Sequence, residues 1–200
     1  AGLPRQGLLE PAVTTRRAAP ASCRVVEEAM DVTQGKLCMG FRTDSGDVPA
    51  TMLMNAMFGG EVTSKLFLNV REKLSLCYYV SSSFHRRKGL ITVYSGIEFE
   101  NCDRAVAEIS AQLEDLKNGR WEDWELQGSR SSLISSLRST EDSAGAIESF
   151  VMGQAAAGGS ETIPGLLEEV RAVTPDRIRE AAAAVKPDTI YFLKGKEAIA

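Results

Sequence analysis

Apolar and polar residues alternate on both sides of a basic turn, Arg86-Arg87-Lys88-Gly89; past Ile97 the apolar residues recur every three or four positions almost to the end of the chain. Leu76 to Phe84 and Leu90 to Ile97 therefore read as the two strands of a hairpin. A hairpin followed by segregated helices predicts an α+β domain, with a largely antiparallel sheet and helices packed on one face. The other face is left for solvent, a cavity or a partner.

Other elements complete this pattern. Val25-Val26 and Gly35 to Phe41 read as short strands separated by a break at Thr33-Gln34-Gly35. Asp47-Val48-Pro49 is a helix start, a capping carboxylate with proline in the first turn, and Gly59-Gly60 ends that helix. Thr63 or Ser64 can cap a second helix, whose apolar stripe is Leu66, Phe67 and Val70. After the hairpin, Val106, Ile109, Leu113 and Leu116 mark a helix stopped at Asn118-Gly119. Leu126 to Leu137 marks the next, and Ile147, Phe150 and Val151 another, closed by Gly158-Gly159. Ile163 to Val170 forms a fourth. The last is capped at Thr174-Pro175, runs through Ile178, Ala181 and Val185, and is stopped by Pro187 before a final strand, Thr189 to Leu193. Residues 1–22, with three prolines and no clear period, read as a linker or loosely held arm; residues 23–200 read as one domain.

The 200 residues are enough to bury a sizeable core. The formal charge of −4 supplies no global basic field, so neither nucleic acid nor an anionic membrane is an expected partner. No run approaches the length of a membrane span. Arg5, Arg16 and Arg17 interrupt the N-terminal stretch, which lacks the apolar core of a secretory signal. The chain opens on Ala1 rather than Met, as processing or excision from a longer protein would leave it. Cys23, Cys38, Cys77 and Cys102 have no CxxC spacing and read as free thiols in a reducing, cytoplasmic setting.

Most catalytic chemistries find little support. His85 is the only histidine and lies in neither HExxH nor HxxEH, so a zinc site in this chain is not expected. There is no GxSxG elbow for a serine nucleophile. Met57 to Glu61 lacks the phosphate-loop pattern, and Glu61 would repel an anion. Arg86-Arg87-Lys88 reads as a solvated hairpin tip.

The informative stretch is FGGEVTSKLFLNVREKLSLCYYVSSS, Phe58 to Ser83. Arg71 falls near the end of a helix and Tyr78 near the start of the next strand, so both side chains can reach one cleft. A guanidinium and a phenol both donate hydrogen bonds to a carbonyl or oxyanion. Against this, Arg71 also complements a helix dipole, and Tyr78 shares its strand parity with Leu76, Val80 and Phe84, which reads as a core face.

The motif Gly59-Gly60, Ser64-Lys65-Leu66-Phe67, Val70-Arg71-Glu72 and Tyr78 resembles that of the pitrilysin/insulinase family of zinc peptidases, the mitochondrial-processing-peptidase-like group. The resemblance extends over roughly residues 24 to 195, through GKLCMGFRT, VTPDRI and YFLKG, and its SLCYY form is most like a bacterial two-half subgroup. It implies the LuxS/MPP-like metallohydrolase fold and the C-terminal, non-metal half of such a protein. Zinc and the general-base Glu are then expected in a complementary N-terminal half or paralogous subunit, a dimer being the other assembly it allows. It assigns no catalytic or metal residue to this chain and makes Arg71 and Tyr78 the substrate-binding pair, closing over an extended peptide held at the zinc half. The sequence departs from many active members at Ser75, where they carry Gly. Two other readings stay open: a peptidase-like partner domain from a protein that has lost the zinc motif, and an unrelated α+β ligand-binding module.

Overall fold

The computed structural model describes residues 16–156 and 159–196. Five strands, β1 (Arg24–Met30), β2 (Gly35–Thr43), β3 (Cys77–His85), β4 (Leu90–Ile97) and β5 (Val185–Gly195), form one sheet in the order β1-β5-β2-β4-β3. Only the β1–β5 pairing is parallel; β5–β2, β2–β4 and β4–β3 are antiparallel. The α+β architecture with a largely antiparallel sheet is the one expected from the sequence.

Side-chain alternation explains the layering. In β2, Leu37, Met39 and Phe41 are buried beneath the helices, while Lys36, Cys38, Gly40 and Arg42 point to the opposite face. Register carries that open face across the sheet, placing Tyr94 and Tyr191 on either side of Cys38, and Gly96 and then Tyr79 beside Lys36. The six α-helices among the described residues are α1 (Val48–Asn55), α2 (Cys102–Lys117), α3 (Asp123–Ser139), α4 (Ala144–Ala156), α5 (Ile163–Arg171) and α6 (Pro175–Ala183). Leu53, Phe58, Leu66, Ile109, Leu116 and Ile178 fill the layer between helices and sheet.

The caps expected at Asp47 and Thr174 form: the Asp47 carboxylate accepts from the Ala50 N–H at 3.1 Å, and Thr174 caps α6. Thr162 caps α5 in the same way. Gly89, at the hairpin tip, has φ +55°, and a Cβ there would lie 2.5 Å from the Thr43 carbonyl, so only glycine fits.

Three local expectations are corrected. Pro187 does not stop a helix: α6 ends at Ala183, and Val185 and Pro187 belong to β5. The register slips between Gly40 and Phe41, leaving Asp188 as a bulge, and β1 begins pairing only at Thr189; proline is tolerated at such a position. The hairpin tip is not simply solvated. Arg86 pairs with Glu161 at 2.8 Å and lies over the Phe150 ring, and Arg87 lies against Gly153, so the tip supports α4. Tyr78 does not join the core face, as described below. Residues 1–15 of the expected arm and Gly158 lie outside the described residues. Arg16 donates to the Ser45 and Arg86 carbonyls at 3.1 and 2.8 Å.

Candidate functional site

The site is built where a helix end meets the start of β3. Gly59 closes the segment after α1, and a Cβ there would meet Leu66 Cδ1 at 2.8 Å and Ser82 Oγ at 2.9 Å. Gly59 thus allows close approach to β3, while a Cβ on Gly60 would lie 3.2 Å from the Asn55 carbonyl of α1. Ser64, not Thr63, supplies the next cap, its Oγ accepting from the Phe67 N–H at 3.4 Å.

From Leu66 to Lys73 the helix is π-helical. The Leu74 N–H donates to the Asn69 carbonyl at 3.1 Å, and the Leu76 N–H reaches the Val70 carbonyl at 3.0 Å. Such wide turns are rare and recur at functional sites. The exit is made by Ser75, whose φ of +50° is left-handed and favours glycine.

This exit brings Arg71 and Tyr78 together. Arg71 Nε donates to the Tyr78 carbonyl at 3.0 Å. Its guanidinium also lies 4.7 Å from the Phe67 ring centroid, and Nη1 is 3.1 Å from the Glu72 carboxylate. The Arg71 side chain keeps 39% of its surface exposed.

Tyr78 is 54% exposed, contrary to the core-face expectation from its parity with Leu76, Val80 and Phe84. The cause is a slip in register. Cys77 pairs with Ile97 and Tyr79 with Gly96, so Tyr78 is an extra residue bulged out of the ladder. The bulge separates the buried Leu76 from the buried Val80 and turns the intervening ring outward.

Among the described residues there is no group of three or more His, Cys, Asp or Glu side chains placed to hold an ion. His85 points onto the open sheet face, where its Nε2 lies 3.1 Å from Thr92 Oγ1. No disulfide joins the four cysteines, and burial raises the pKa of each; Cys102, between Asp103 and Glu27, is pushed up to about 11. Thiols raised in this way are protonated at neutral pH and are poor nucleophiles.

Sequence reasoning missed the support behind the motif. Lys65 Nζ lies 3.1 Å from Glu125 Oε1, with both side chains almost wholly buried. Glu125 also accepts from the Glu122 N–H at 2.7 Å, completing a capping box at the start of α3. The Glu122-x-x-Glu125 spacing was a readable signal for the cap. Nothing in the sequence announced the partnership with Lys65, sixty positions earlier.

A family model described as the peptidase M16 inactive domain matches residues 5–133. A Bacillus subtilis protein named "Probable inactive metalloprotease YmfF" is 40% identical over 177 residues, covering 86% of this chain and 41% of the relative. A second B. subtilis protein, "Uncharacterized zinc protease YmxG", is 26% identical over 158 residues, covering 76% of this chain and 39% of the relative. The chain thus spans about two-fifths of the curated relatives it matches. Among solved structures, a conserved protein from Enterococcus faecalis superposes with a TM-score of 0.85 at 29% identity, over 92% of this chain and 45% of that one. A peptidase M16 inactive domain from Pseudomonas fluorescens superposes with a TM-score of 0.75 at 16% identity, over 91% of this chain and 46% of that one. With the motif, the sheet order and these matches in agreement, the chain belongs to the peptidase M16 inactive-domain family.

Proposed function

We propose that this chain is the substrate-holding, non-metal half of a zinc-endopeptidase-type protein. In this reading Arg71 and Tyr78 donate hydrogen bonds to the backbone of an extended peptide held at a metal-bearing half, which supplies zinc, water and the general base. The observation that carries it is the Arg71–Tyr78 junction: the bond from Nε to the Tyr78 carbonyl fixes the guanidinium at the bulge that turns the phenol to solvent. The partner is a metal-binding N-terminal half or a paralogous subunit. Four unbridged thiols support a reducing, cytoplasmic setting.

The test uses the protein together with its metal-binding half and a labelled extended peptide. Arg71→Ala is expected to weaken binding, or kcat/KM where there is turnover, by about 10- to 100-fold, as loss of a charged donor does. Tyr78→Phe is expected to cost about 2- to 10-fold. Unchanged affinity in both variants would overturn the reading.

A second reading is favoured by the 40% identity to a relative named as an inactive metalloprotease: a peptidase-like partner domain that keeps the fold and not the reaction. The sequence of the complementary half decides between them. HxxEH with a downstream Glu supports the first reading, and its loss supports the second.

A further inference from the structure

The groove behind the π-helical segment has a volume of about 450 Å³. At its wall, Lys65 and Glu125 form an ion pair at 3.1 Å with side chains only 8% and 10% exposed. Asn69, one turn on, donates both to the Lys65 carbonyl at 3.1 Å and to Gln112 Oε1 at 2.9 Å. Gln112 is itself buried and held by Glu108 of α2 at 2.7 Å. The segment that carries Arg71 is therefore tied polar-to-polar to α3 on one side and to α2 on the other.

A buried ion pair is an inefficient way to hold helices together. Desolvation offsets much of its attraction, and well-packed apolar side chains of similar size serve as well or better for stability. What such a pair supplies is register, because only one placement satisfies both charges. Register matters here because a π-helix is a marginal geometry. Relaxation toward an α-helix would swing the following residues around the axis, and Arg71 lies six residues after Lys65 and two after Asn69.

We propose that Lys65, through Glu125 and with Asn69–Gln112, is a positioning residue: it holds the π-helical register that brings the Arg71 guanidinium to the Tyr78 carbonyl. The role in substrate holding rests on the function proposed above; the positioning itself does not.

The experiment separates the two. In the 200-residue chain, the double variant Lys65→Met/Glu125→Leu replaces the ion pair with an apolar one. Its denaturant midpoint is expected to match or exceed that of the wild type. Solvent exchange of the Arg71 Nε–H, followed by NMR, is expected to rise about tenfold as the bond to Tyr78 is lost. Lys65→Arg, which keeps the pair, is expected to restore slow exchange. Should the double variant fail to fold, Asn69→Ala keeps the ion pair, removes the tie to α2 together with the bond to the Lys65 carbonyl, and is expected to raise exchange in the same direction. Wild-type exchange in a folded variant lacking either tie would overturn the positioning role. A peptide titration of the protein with its metal-binding half completes the test. If Arg71→Ala and Tyr78→Phe both leave peptide affinity unchanged, the substrate reading fails while the exchange measurement still decides the positioning. If Arg71→Ala loses affinity and the folded double variant keeps both wild-type affinity and wild-type exchange, the positioning role fails by itself.

Discussion

Ser75 occupies a left-handed backbone conformation that costs a side-chain-bearing residue about 1–2 kcal/mol. Glycine avoids that cost but gives back about 0.5–1 kcal/mol in unfolded-chain entropy. Ser75→Gly is therefore expected to raise stability by up to about 1 kcal/mol, and Ser75→Val to lower it by about 1–3 kcal/mol, as read from denaturant midpoints. The positive φ is a physical reason for the glycine that the family resemblance leads one to expect at this position. The proximity of Arg71 and Tyr78 was legible because the helix end and the strand start are close in sequence. The outward turn of Tyr78 was not. A bulge is defined against the partner strand, and no residue between Cys77 and Tyr79 signals that Ile97 and Gly96 will pair around it.

At the level of elements, polar ties join segments distant in sequence. Asp47 caps α1 and also receives Arg177 of α6 through two bonds, at 2.7 and 2.9 Å. The Arg177 hydrogen bond holds the Asp47 carboxyl below its usual pKa. A lowered folded-state value means this stabilisation is complete above the unfolded carboxyl's pKa of about 4 and is lost as pH falls through the folded one. Asp47→Asn is expected to cost about 1 kcal/mol at neutral pH, both partners being partly solvated, and the gap to wild type is expected to close in acid. Unfolding curves at pH 7 and pH 3 check this. Element types were largely readable from periodicity and caps. Pro187 misled because its tolerance depends on β5 having no β1 neighbour at that level. The support of α4 by Arg86 and Arg87 was hidden because cations at a turn tip usually face water. That support leaves α4 with no buried residue, and with Val151 and Met152 more than half exposed.

For the whole molecule, the proposed division of labour between this chain and a metal-binding half bears directly on metal content. The described residues offer no ligand cluster, so the purified 200-residue chain is expected to retain well under one zinc per molecule after dialysis and to show no chelator-sensitive cleavage of peptides. Stoichiometric zinc measured by elemental analysis, or proteolysis abolished by a chelator, would contradict that division. The strand order carries a consequence of another kind. The last strand, β5, is inserted between the first two, hydrogen-bonded to β1 on one side and β2 on the other. During synthesis β1 has no place in the sheet until some hundred and fifty further residues have emerged, a separation set by these long-range pairings. The nascent domain must wait with an open seam until β5 emerges to close it.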